Sequence, residues 1–203
     1  MPKLHSLNAD LHCHSHVSDG TLAPAQVAGR AAANGVQLWA LTDHDEIRGQ
    51  HRAAAAAQAL GMDYLTGVEI SVTFVDTTVH IVGLGFDAAD AQLARGLAAT
   101  RDGRGERAQE IGAQLARVGI RGAYEGALCY VDNPELISRT HFARYLVDTG
   151  HCRDAGEVFR KYLTEGKPGF VPHRWARLGD AVRWICEAGG MAVIAHPARY
   201  RLT

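Results

Sequence analysis

Several of the features that most readily reveal a protein's role are scarce here. The four cysteines, Cys13, Cys129, Cys152 and Cys186, are scattered without a CxxC pair, which excludes a disulfide framework or a thiolate zinc knuckle. No apolar run approaches a membrane span, and Met1 to Asn8 lacks the apolar core of a signal peptide. The expected location is therefore the cytoplasm, with no membrane contact and no obligate protein partner. A formal net charge of −1 rules out a composition built wholesale for polyanions. Internal repeats and low-complexity linkers are also missing. The alanine run at 53–57 reads as helix former rather than disorder.

What is present describes a globular chain with a sizeable core: 203 residues, 47% apolar and 21% charged. That length suits one domain, or one domain with an insertion. Charge is unevenly spread, with 5 Lys/Arg against 10 Asp/Glu in residues 1–100 and 13 against 10 in residues 101–177. An acidic half beside a mildly basic one suits a metal site and a place for phosphate. Eleven histidines are many for this length.

The first hundred residues alternate short apolar runs with helical patterns. "LNADLH", "VQLWALTDHD", "MDYLTGVEISVTF" and "TTVHIVGLGF" read as strands, and "TLAPAQVAGRAAANG" and "GQHRAAAAAQALG" as helices. This rhythm implies parallel strands with right-handed crossovers. From about Asp90 to Lys167 the chain reads as helices only, including "RGERAQEIGAQLARVG", "SRTHFARYLVDTG" and "DAGEVFRKYLTEG". The α/β rhythm returns with "LGDAVRWICEAGG" and "MAVIAHP". The expected organisation is 1–97 as the first part of a barrel, 98–167 as a helical insertion for substrate recognition, and 168–203 as the barrel's continuation.

The histidines recur at the strands. In "NADLHCHSHVSDG", Asp10, His12, His14 and His16 occupy alternate positions, which an extended strand would point one way. His44 closes the second strand, Glu69 lies in the third, His80 in the fourth, and His196 ends the last. In (β/α) barrels, functional groups gather from the C-terminal ends of several strands. Any one of these could be a hydrogen-bonded core residue; their repetition at strand after strand points to a metal centre. Imidazole and carboxylate without thiolate favour Zn²⁺, Mn²⁺ or Fe²⁺ over Ca²⁺.

"DLHCHSHVSDG", "LTDHD", the Glu of "GVEIS", the His of "VHIVGLG" and "AHPARY" resemble the successive motifs of the PHP (polymerase and histidinol phosphatase) family. The resemblance implies an α/β fold, a distorted (β/α)7 TIM-like barrel with an inserted helical subdomain, and three divalent ions, Mn²⁺ first, with Zn²⁺ or Fe²⁺ as alternatives. It implies that His12 and His14 hold one ion, Asp19 and His44 a second, and His80 and His196 a third, with Glu69 bridging. Asp10 and Asp43 would stand behind the ligands and orient them, Asp45 would do the same or start a helix, and His5 and His16 would be solvated. The family ends in an Asp-x-His pair that is not found downstream of "AHPARYRLT". The last barrel elements are therefore expected to be missing from this chain, as in a fragment, or to come from another chain; otherwise the first two sites would be incomplete.

The segments "ISRTHFARYLV" and "KPGFVPHRWA" resemble the nucleoside 3′,5′-bisphosphate phosphatases and related short-RNA 5′-exonucleases. On that resemblance Arg139 and His141 are candidate catalytic and substrate-binding residues, His141 as donor of a proton to the leaving oxygen. Lys167, His173 and Arg177 are candidate phosphate contacts on a Gly- and Pro-restricted loop. The expected activity is metal-dependent hydrolysis of a phosphomonoester, the 3′-phosphate of a nucleoside 3′,5′-bisphosphate. A 5′→3′ exonuclease on short RNA, a histidinol-phosphate phosphatase, and a non-catalytic metal-binding module are the alternatives.

Overall fold

The computed structural model describes residues 7–200; His5 lies outside them. The chain divides into two compact units, residues 1–100 with 175–203, and residues 101–174. The first unit begins with β1 (Ala9–Asp10), α1 (Pro24–Ala33), β2 (Leu38–Leu41), α2 (Gln50–Ala59), β3 (Asp63–Phe74), β4 (Thr77–Leu84) and α3 (Ala91–Arg101). The second holds α4 (Arg104–Arg117), α5 (Ala123–Leu128), α6 (Arg139–Asp148) and α7 (Ala155–Val158), the last running into a π-helical turn at Phe159–Leu163. The chain then returns to the first unit with β5 (Ala176–Arg177), α8 (Leu178–Glu187) and β6 (Met191–Ile194).

The first unit is an α/β structure on an open, half-barrel mixed sheet in the order β1-β2-β3-β4-β6, with β5 alongside β3. β1, β2 and β3 are parallel, as the βαβα rhythm requires. The expectation of parallel strands throughout needs correction at β4, which is antiparallel to both β3 and β6. The reason is the connection: only Val75 and Asp76 separate β3 from β4. Both have positive φ, 46° and 58°, as a two-residue hairpin turn demands. A parallel crossover needs a dozen residues or more.

β3 is buried on both faces. Val68, Ile70 and Val72 pack with Leu93 and Leu97 of α3 and with Ala181 and Ile185 of α8. By the strand's two-residue period, Glu69 and Ser71 point to the opposite side. Thus one strand anchors the core with one face and presents a carboxylate with the other. A second cluster joins Trp39 and Leu41 of β2 to Ala28 and Ala31 of α1 and to Ala53 and Ala57 of α2. Alanine at these contact positions lets the helices approach closely. Gln50 ties the layers: its amide nitrogen donates to the carbonyls of Leu41 and Gly67, and its oxygen accepts from the Gly67 N–H.

The second unit has its own core, including Ile111, Leu115, Phe142, Leu146, Val158 and Leu163. It extends to Arg174, beyond the boundary at 167 expected from sequence. The Gly169 N–H donates to the Tyr162 carbonyl and Arg107 Nε to the Val171 carbonyl, fastening 168–174 to the helices.

Candidate metal centre

Glu69 is the meeting point of the histidines. Its Oε2 lies 3.0 Å from His12 Nε2, 3.1 Å from His14 Nε2 and 3.4 Å from His44 Nδ1. Its Oε1 lies 3.0 Å from His80 Nδ1 and 2.9 Å from His196 Nε2. The imidazoles form a ring around it, with centroids 4.5 Å apart for His14 and His44, 5.0 Å for His44 and His80, and 5.3 Å for His80 and His196. Asp19 joins His14 and His44 in a further grouping with ligand atoms close enough to share an ion.

Backbone pairing sets this convergence. His44 continues β2 past its last regular residue and bridges to Glu69 in parallel fashion; the Asp45 N–H donates to the Glu69 carbonyl and the Glu69 N–H to the Asp43 carbonyl. On β4, His80 faces Ser71, which makes it the diagonal neighbour of Glu69 on one face. The Ala195 N–H donates to the His80 carbonyl, extending the β4–β6 pairing to the residue before His196. His12 and His14 lie beyond β1 in a loop rather than in a strand. That loop is fixed by Cys13, whose N–H donates to Thr42 Oγ1. His16, expected in solvent, is half-buried.

Two buried aspartates brace the ligands. Asp43 accepts from the Ser15 N–H and from the hydroxyls of Ser15 and Ser18, each at 2.7 Å. This holds the 15–18 turn that separates His14 from Asp19. Gly20 closes it: a Cβ there would stand 2.5 Å from the His14 carbonyl oxygen. Asp45 accepts from the Ser71 N–H at 2.7 Å and the Ser71 hydroxyl at 2.9 Å, locking His44 to β3. Asp10 accepts from the His12 N–H, so it orients the loop rather than the imidazole.

The electrostatics suit cations. Burial opposes the ionisation of Glu69, but hydrogen bonds from His12, His14 and His80 and the nearness of His44 outweigh it and hold the carboxyl well below its usual range. Burial, with His14 alongside, pushes His44 down to about 4, and burial lowers His196 against the pull of Glu69. Three nitrogens crowd Oε2, whereas a carboxylate oxygen has two lone pairs. His44 Nδ1 is buried near it without a hydrogen bond, and His14 Nδ1 is buried without one elsewhere. A donor set of imidazoles and carboxylates with such over-subscribed atoms fits divalent ions. The nearby thiol does not compete: Trp39 Nε1 donates to Cys13 Sγ, which donates to the Ala40 carbonyl, and burial lifts its pKa to about 12.

In the second unit, Arg104, Arg107 and Arg139 line one pocket with Ser138 and Phe142. Arg139 donates to the Leu163 carbonyl at 3.0 Å and lies over the Phe159 ring. Burial, with Arg139 and Arg104 close by, lowers Arg107 to about 9. His141 is fully buried in the first turn of α6. Its Nδ1 accepts the Ser138 N–H at 3.0 Å, which places the ring proton on Nε2. Lys167 is exposed and His173 half-buried in this unit, while Arg177 is exposed on β5 of the first. Among the residues that sequence reasoning passed over are Ser15, Ser18, Ser71, Arg104, Arg107 and Tyr200. Ordinary serines and arginines give no signal until the fold shows what they touch.

The PHP domain profile matches residues 10–165. The chain is 59% identical over 193 residues to a 3′,5′-nucleoside bisphosphate phosphatase of Chromobacterium violaceum, covering 95% of this chain and 68% of the relative. It is 44% identical over 194 residues to a 5′-3′ exoribonuclease of Haemophilus influenzae, covering 96% and 70%. A solved structure from Bifidobacterium adolescentis, described as a candidate metal-dependent phosphoesterase, superposes with a TM-score of 0.88 at 27% identity, covering 97% of this chain and 70% of that one.

Proposed function

The chain belongs to the PHP domain family and is a metal-dependent phosphatase; from that premise we propose that it removes the 3′-phosphate of nucleoside 3′,5′-bisphosphates. The observation that supports this most is the convergence of five imidazoles on one buried carboxylate. In this reading His12, His14 and Glu69 hold one ion, His14, Asp19 and His44 serve a second, and Glu69 with His80 and His196 a third, manganese being the first candidate. The fold would be a distorted (β/α)7 barrel, and the protein would work in the cytoplasm. Divalent ions in such a site acidify a water and offset charge that builds on a phosphoryl group.

The chain's own residues supply the rest. Glu69 is held well below the usual carboxylate range by its histidine partners, so its negative charge would keep the imidazoles gathered and favour cations. Asp43 and Asp45 fix the backbone segments that carry His14 and His44 through Ser15, Ser18 and Ser71, so little reorganisation is needed when charge develops. The guanidiniums of Arg104, Arg107 and Arg139 suit recognition of the phosphate that is retained, because arginine binds phosphate oxygens in a forked geometry. His141 holds its proton at Nε2, the form needed to protonate a leaving oxygen. Lys167, His173 and Arg177 are further candidate phosphate contacts.

The test is release of phosphate from adenosine 3′,5′-bisphosphate by manganese-loaded protein, with the nucleotide product identified and His44→Ala as control. Formation of 5′-AMP by the wild type alone is the expected result. No phosphate release with metal bound overturns it. Stepwise release of mononucleotides from 5′-phosphorylated short RNA, without action on the bisphosphate, would favour the exonuclease reading suggested by the Haemophilus relative.

A further inference from the structure

Tyr200 lies four residues after His196, at the end of the short turn that follows β6, and its hydroxyl joins two of the histidine-bearing segments. The His80 backbone N–H donates to it at 2.9 Å, and His196 Nδ1 lies 3.0 Å from it. The other nitrogen of His196, Nε2, lies 2.9 Å from Glu69 Oε1. His196 itself has φ 32° and ψ 58°, a left-handed conformation that costs a non-glycine residue energy. The Arg199 N–H donates to the His196 carbonyl and the Tyr200 N–H to that of Pro197, closing the turn. The Tyr200 hydroxyl then clasps it to β4.

Proton accounting shows what that clasp can do. A backbone N–H can only donate, so it occupies one lone pair of the hydroxyl. One O–H and one lone pair remain for His196. In the ion-free arrangement Nε2 faces a carboxylate and must carry the ring proton. Nδ1 is then an acceptor, and the Tyr200 O–H donates to it. A cation between Nε2 and Glu69 requires the Nε2 lone pair, so the proton must reside on Nδ1. Tyr200 then accepts it, with no change beyond rotation of its own O–H.

We propose that Tyr200 is a positioning residue that selects the His196 tautomer, offering Nδ1 a donor when the site is empty and an acceptor when a divalent ion is held. This rests on the metal-site reading above. It explains why a phenol stands here: a donor-only group would hold Nδ1 as an acceptor and oppose ligation by Nε2.

The test uses the whole chain with Zn²⁺ as probe, in wild type, Tyr200→Phe, His196→Gln and the double variant. Calorimetric titration should show Tyr200→Phe weakening one class of Zn²⁺ site by about 10–100-fold, the usual effect of removing a partner behind a ligand. In the His196→Gln background the same change should have no further effect, since coupled residues are not additive. Nitrogen-15 spectra of histidine-labelled wild type should show the His196 proton on Nε2 without Zn²⁺ and on Nδ1 with it. Additive losses would make Tyr200 a purely structural clasp and overturn the proposal, as would a proton that stays on Nε2 in the loaded protein. Failure of the wild type to bind Zn²⁺ at all would instead overturn the metal-site reading, and the proposal with it.

Discussion

Two clusters of basic side chains, one in each unit, are tolerated for different reasons. The five imidazoles around Glu69 come from residues spread between 12 and 196 and can each shed a proton. Burial pushes His44 down to about 4, whereas at His14 burial is outweighed by the hydrogen bond to Glu69 and the nearby Asp19 charge, which raise the imidazole. A neutral His44 with its Nδ1 lone pair unused suits a cation. Arg104 and Arg107 come from α4 and Arg139 from α6, and Arg107 keeps its charge although burial lowers it to about 9. Under the proposed function, the guanidiniums of Arg139 and Arg107, steadied by the Leu163 and Val171 carbonyls, would receive an anion. Under that reading basic side chains serve opposite ligands, and the proton that an imidazole can give up and a guanidinium cannot decides which.

The comparison breaks most severely if Glu69 is neutralised. Glu69→Gln keeps the shape but removes the charge on which the imidazoles converge. Metal binding and phosphatase activity should fall by more than the about 10–100-fold expected for a residue behind a ligand, as read by metal analysis and turnover together. A variant that kept its metal would show the histidines sufficient alone. Chelation is the reversible form of this experiment. It should abolish activity and lower the melting temperature, by the equivalent of about 4 kcal/mol relative to protein at a thousandfold excess of ion over Kd. Manganese should restore both, while far-UV circular dichroism stays unchanged because the core clusters do not include the ligands.

The arginine side is broken by Arg139→Ala. A hydrogen bond to a charged partner is worth about 1.5–3 kcal/mol, so KM for the bisphosphate should rise about tenfold to a hundredfold. The kcat for a simple aryl phosphate, which has no second phosphate, should be unchanged. A fall in kcat on both substrates would move Arg139 from recognition to chemistry. A smaller effect belongs to Asp43→Asn, which replaces one of two accepting oxygens with a donor facing the serine hydroxyls. Zn²⁺ affinity should fall by about tenfold or more, with KM for substrate at saturating metal little changed.

How far the sequence could be read follows the same division. The histidines and Glu69 were legible because imidazole and carboxylate at successive strand ends are rarely decorative. His12 and His14 do converge on Glu69, but alternation suggests a strand, whereas a loop pinned by Cys13 and Thr42 carries them. Tyr200 and Ser71 were illegible, since their roles depend on contacts with His196, His80 and Asp45 made by the fold. Arg104 and Arg107 carry no signal within a helical pattern, and only the fold brings them beside Arg139. The hairpin between β3 and β4 was missed because Val-Asp is a poor turn sequence.

That poor turn offers the smallest effect and the cleanest control. Val75 is exposed and has φ 46°, and Asp76 follows at 58°. Positive φ disfavours a β-branched residue by steric contact of its side chain with the backbone. Two-residue turns of this hand prefer Asn-Gly. Replacing Val75 by Asn and Asp76 by Gly should therefore stabilise the protein by about 1–2 kcal/mol, given about 1–3 kcal/mol for a strained residue less the added freedom of glycine in the unfolded chain. The melting temperature should rise by a few degrees. Turnover and Zn²⁺ affinity should stay as in the wild type, because the turn lies at the far end of the hairpin from Glu69, between Phe74 and Thr77. If metal affinity changed as well, the hairpin would have to be counted among the devices that set the distance between Glu69 and His80, and the strain at Val75 would belong to the site rather than to the turn.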